Sequence, residues 1–127
     1  MTVGVVSLPT SSPTSFDDAV ISTIAGTGIG SYSGDEGPAT SANINGPTGI
    51  AADDYGNIYF SDGNNNRVRV VNSYGIIYTV AGNGEYGSSA DDDIAATSAP
   101  LAYPAGVALY NTTEGIFISC LLNLTLS

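Results

Sequence analysis

Short apolar runs alternate with polar, glycine-rich turns along most of the chain, and no segment carries the 3.6-residue period of a helix. Residues 48–52 are small and apolar after a proline, and residues 53–56 (DDYG) form a turn with a glycine available for positive φ. Residues 57–61 (NIYFS) give a second strand, whose three consecutive large side chains predict a sheet covered on both faces. Residues 63–66 (GNNN) turn again. Residues 67–71 (RVRVV) then alternate, with Val68 and Val70 on one face and Arg67 and Arg69 on the other. After a turn at 72–75, residues 76–81 (IIYTVA) supply a fourth strand. Four short antiparallel strands joined by tight turns form a meander, the layout of a β-propeller blade.

The fourth strand has an echo. Residues 21–28 read ISTIAGTG and residues 77–84 read IYTVAGNG, 56 positions apart. The loops that follow end in ATSANINGPTGIA and ATSAPLAYPAGVA, so that Pro47 matches Pro104 and Gly49 matches Gly106. Asn57-Ile58-Tyr59-Phe60-Ser61 then matches Gly115-Ile116-Phe117-Ile118-Ser119. Ordered self-similarity over such a length marks a repeat architecture. It divides the chain into an irregular lead (1–19), a repeat region (20–120) and a divergent tail (121–127). Within the region lie the last strand of one blade (20–26), a complete blade (46–82) and a partial blade (104–119).

Composition narrows the chemistry. The 127 residues carry a net charge of −10, with twelve carboxylates, two arginines, and neither lysine nor histidine. All the carboxylates are expected in turns or loops. Such a surface repels phosphate backbones, so nucleic acid is not an expected partner. No apolar run reaches the ~20 residues of a membrane helix, no secretory leader is read, and the compartment stays open. The one cysteine, Cys120, excludes an internal disulfide.

Candidate sites are weighed against plain alternatives. Residues 82–87 (GNGEYG) spell GxGxxG after a strand, but the acidic stretch that follows lacks the helix a dinucleotide site requires, so a turn between blades is the reading. Asp91-Asp92-Asp93 lacks the ligand alternation and closing glutamate of a calcium loop and reads as solvated charge. No cofactor, metal or catalytic residue is expected. The sequons at Asn111 and Asn123 read as accidental.

The stretch GPTGIAADDYGNIYFSDGNNNRVRVVNSYGIIYTVAGNG (46–84) resembles the NHL repeat, a blade unit usually found in six-bladed propellers. The linker SGDEGPATSANINGP (33–47) is similar to the long inter-blade linker of one NHL subtype. The resemblance implies an all-β, incomplete propeller of about one and a half blades with almost no helix. It gives structural repeat roles to Gly49, Asp53, Gly56, Asn57, Asp62, Asn65, Asn66, Arg67 and Gly82. Asp62, flanking the turn with Arg67, is expected to pair with a guanidinium and cap turn amides. The family pattern breaks at Cys120, where an aspartate would stand; the break reads as truncation or a mispredicted gene end.

The function implied is non-catalytic protein binding or scaffolding through propeller loops, with Tyr55, Tyr74 and Tyr86 as candidate partner contacts. The alternatives are part of a lactonase-like or lyase-like six-bladed enzyme or sensor, or a truncated product without function alone. Unpaired sheet edges invite self-association.

Overall fold

The computed structural model describes residues 1–7, 19–89, 93–110 and 115–120. At its centre is one four-stranded antiparallel meander of β3 (Pro47–Ala52), β4 (Ile58–Asp62), β5 (Arg67–Val71) and β6 (Ile77–Ala81). On one side of it lies the two-stranded pair β1 (Val3–Ser7) and β2 (Val20–Ala25), and on the other the pair β7 (Pro104–Tyr110) and β8 (Gly115–Cys120). Helical structure among the described residues is confined to three-residue 3-10 turns at Ala39–Ser41, Gly63–Asn65 and Ala96–Ser98. No described helix is long and apolar enough to cross a membrane.

Both faces of the central sheet are covered along the two middle strands, β4 and β5, while Ile50 on β3 and Tyr78 on β6 stay exposed. Phe60 lies opposite Arg69, so both project to one face, and both are fully buried beneath the linker 26–46. The other face presents Ser61 and Val68 and meets β7. There the Thr48 hydroxyl donates to Ala105 O at 3.1 Å, and the Ser61 hydroxyl donates to the same oxygen at 3.3 Å. A Cβ on Gly49 would stand 2.4 Å from Ala105 O, so the close approach of these two sheets requires a glycine at that position.

The linker does more than connect. Residues 36–39 run beside the outer edge of β6. Glu36 N–H donates to Ile77 O at 2.8 Å, Ile77 N–H to Gly37 O at 3.1 Å, and Ala39 N–H to Gly75 O at 2.8 Å. This strap covers an edge that would otherwise expose unpaired backbone groups. Ala39, Ala42 and Ile44 from the linker join Val3, Ala25, Phe60, Val71 and Ile77 in one buried cluster.

Three expectations are corrected. The lead 1–19 is not irregular throughout, because Val3–Ser7 forms β1 and pairs with β2. Its β-branched residues suit a strand, and β2 offers the edge that holds it. Second, the carboxylates are not all in turns: Asp62 closes β4 and is fully buried. Third, the guanidinium that meets Asp62 belongs to Arg69, and Arg67 is engaged elsewhere. Asp91 and Asp92, both sequons and the tail 121–127 lie outside the described residues.

Candidate functional site

The turns of the blade are built by side chains that supply what the backbone lacks. Asp53 Oδ1 accepts the N–H groups of Tyr55 and Asn57, each at 2.9 Å, and Asp53 Oδ2 accepts Asn57 Nδ2 at 2.8 Å. Gly56 completes this turn at φ 86°. Asn72 repeats the device between β5 and β6, where its Oδ1 accepts the N–H groups of Tyr74 and Ile76 at 3.0 Å each. Antiparallel order puts the two turns at the same end of the blade, and a Cβ on Gly56 would meet Ser73 Cβ at 3.2 Å. Tyr55 and Tyr74 project from them, 64% and 87% exposed.

Tyr86 is elsewhere. It follows β6, at the opposite end, and packs on Tyr103 with ring centroids 5.1 Å apart. The three tyrosines therefore form one pair and one outlier.

At that opposite end lies a buried polar knot. Arg69 is fully buried and its guanidinium donates four ways: to Asn43 O at 3.0 Å, Asp62 Oδ2 at 3.3 Å, Ser33 O at 2.9 Å and Asp35 Oδ1 at 2.8 Å. Its Nε has no partner among the described residues. Asp62 also accepts Asn45 N–H at 2.7 Å on Oδ1 and Asn65 Nδ2 at 2.9 Å on Oδ2. Asn65 bridges onward to Ser31 O at 2.9 Å, which ties the β4–β5 turn to the linker. Asn66 sits left-handed at φ 52°, and its Oδ1 accepts Tyr103 N–H at 3.1 Å. Arg67 lies over the Tyr32 ring at 3.6 Å and donates to Asn83 O at 3.2 Å. Gly82 donates its N–H to Ala96 O at 2.9 Å and so starts the second linker.

The knot shifts its acids in opposite directions. Burial pushes the Asp62 carboxyl up, against hydrogen bonds from Asn45 and Asn65 and the Arg69 charge, and burial prevails. Burial also raises Asp35, but donors on Thr79, Arg69 and Tyr32 together with the Arg69 charge outweigh it, so its carboxyl is held below the usual 3.8. A lowered carboxylate contributes stability that is fully present above its unfolded value and is lost as pH falls through its folded value. Asp35→Asn should therefore flatten the acid limb of the stability profile below about pH 4. Urea titrations at several pH values test this, and an unchanged acid limb would exclude Asp35 as a source of it.

Among the described residues, no group of three or more His, Cys, Asp or Glu side chains comes together in a way that could hold a metal ion. The carboxylates of Asp35, Asp53 and Asp62 are each committed to donors of the fold. What sequence reasoning missed is Asp35 and Tyr32, which complete the knot from the linker. The signal was present in the acidic linker text, but nothing local says which arginine it folds onto.

Similarity to known proteins agrees with this architecture. Among solved structures, a structural genomics protein of unknown function from Bacteroides thetaiotaomicron superposes with a TM-score of 0.67 at 23% identity. The match covers 82% of this chain and 26% of that one, so the chain spans about a quarter of its length. At that identity the likeness concerns fold alone. No curated protein matches. The family model of the teneurin NHL domain matches residues 21–118, from the second strand to the eighth, and the chain belongs to that family.

Proposed function

We propose that this chain is a non-catalytic propeller module that engages a protein partner through the end of the blade carrying Tyr55 and Tyr74. One observation carries the reading. Two large amphipathic rings stand out from adjacent turns whose backbones are already fixed by Asp53 and Asn72. Rigid aromatic side chains on pre-formed turns bind at low ordering cost, which is why tyrosine recurs at interface centres. The scaffold role draws further support from Asp53 and Asp62, whose oxygens are committed to turn amides and to Arg69. The enzyme alternative would need a ring of channel ligands from several blades, and no feature of this blade favours it.

A photo-reactive phenylalanine analogue placed at Tyr74, in chains expressed in their native cells, tests the proposal. One discrete cross-linked protein is expected from Tyr74 and from Tyr55, absent from the same probe at Tyr86 and lost from Tyr74 on Tyr55→Ala. Identical products from both ends, or none from Tyr74, would defeat it.

A further inference from the structure

The two outer hairpins are complementary halves of a blade. β1 and β2 reproduce β5 and β6, including the register shift: Val3↔Ala25 and Gly4↔Thr23 stand as Val68↔Ala81 and Arg69↔Thr79 do, with the irregularity at the same step. β7 and β8 reproduce β3 and β4 in the same way, with the irregularity just after Pro104 as it is after Pro47. One copy therefore carries the third and fourth strands of one blade, a whole blade, and the first and second strands of another.

We propose that β8 of one copy pairs with β1 of a second copy, so that the two half-blades become a whole blade and copies close head to tail into a ring. The register follows from that of β4 on β5, where Tyr59 faces Val70 and Asp62 faces Arg67. Transferred to the new seam, Ile116 faces Val6, Phe117 faces Val5, Ile118 faces Gly4, Ser119 faces Val3 and Cys120 faces Thr2. No charge falls on either strand, whereas a solvent-facing edge is ordinarily guarded by one. Phe117 against Val5 is an aromatic–β-branched pair of the stabilising kind.

Three observations favour a second copy as the occupant. First, apolar positions buried in the whole blade are bare in the half: Ile21 is 74% exposed where its counterpart Ile77 is 0%, and Val6 is 54% exposed where Val71 is 4%. Second, the buried ion pair is missing from both halves together. Cys120 stands in the place of Asp62 and Gly4 in that of Arg69, so the seam inherits neither member unpaired.

Third, the strap that would cover β2 already has its shape. Asp93 sits at φ 62°, as its counterpart Glu36 does at φ 66° where it donates to Ile77 O. In the ring, Asp93 N–H of one copy meets Ile21 O of the next.

The strands described in one copy of these 127 residues amount to two blades, and propellers close with ~4–8. Two to four copies therefore complete a ring, with three giving six blades. A head-to-tail contact that closes gives a discrete species.

The test is a mass and a cross-link on the 127-residue chain. Native mass spectrometry should show one species at two, three or four times the 12.8 kDa of the chain. Facing residues in antiparallel strands lie ~4.5–5.5 Å apart at Cα, within disulfide range. Thr2→Cys should therefore, on mild oxidation, link to Cys120 and convert most of the chain to the full ring mass on non-reducing gels. Ser7→Cys, at the far end of β1, should not. A monomer at ~100 µM, cross-linking as efficient through Ser7→Cys, or only Cys120–Cys120 dimers would each overturn the proposal.

Discussion

Arg69→Met is expected to cost about 3–5 kcal/mol of folding stability at neutral pH, because it leaves the buried Asp62 carboxylate without its cation. A domain of this size has roughly 5–15 kcal/mol in total, so the variant should stand near the edge of folding at 37 °C. The same substitution leaves Asp35 with only the Thr79 and Tyr32 hydroxyls and removes the donors to Asn43 O and Ser33 O, so the linker loosens along with the blade.

The loss should shrink on acidification. With the guanidinium gone, the folded-state value of Asp62 rises further above its unfolded one. A raised carboxyl contributes stability that is present at low pH and is lost as pH climbs through the folded value. Arg69→Met should therefore be closer to wild type near pH 4 than at pH 7. Adding Asp62→Asn, which keeps an acceptor for Asn45 N–H but removes the charge, should recover part of the deficit at pH 7. Denaturant melts at one protein concentration, followed through the eight tyrosines, give all three numbers. A deficit independent of pH and untouched by Asp62→Asn would show that the guanidinium acts by packing alone.

The second large effect is expected at Gly82. It holds φ at 91°, and a Cβ there would stand 2.2 Å from Asn66 O and 2.9 Å from Arg67 Cα. Gly82→Ala therefore combines a disfavoured backbone region with a collision against main chain that cannot rotate away. A loss of about 2–4 kcal/mol is expected. Gly75→Ala is the matched control: φ is 78° there, but no atom of the described residues lies within 4 Å of the new methyl. It should lose about 1–2 kcal/mol, the conformational part alone. Equal losses at the two sites would mean that the turn after β6 shifts to make room.

The meander was legible because its signals are local. Turn residues at 53–56 and 63–66 punctuate strands of the right length, and the doubled phrase fixes their order. β1 escaped notice for a physical reason. Val3-Gly4-Val5-Val6 matches Val68-Arg69-Val70-Val71 at three of four positions, but the connection to the next strand is nine residues longer. The offset between copies is 65 here and 56 in the strands that follow, so a fixed period slides past the match.

The partner of Asp62 was undecidable for a different reason. Alternation puts Arg67 and Arg69 on one face, but which of them is buried depends on how the linker brings Asp35 and Ser33 across. That is a tertiary choice, and Tyr32 completes it by stacking on the arginine that remains.

The strap has a consequence in time. Residues 36–39 precede the edge they cover, with Gly37 forty positions ahead of Ile77. At roughly 5–20 residues per second, a ribosome releases the cover about two to eight seconds before the edge. Strand β6 thus meets its guard as it emerges, and a nascent chain at this stage offers neighbouring chains little open backbone to capture.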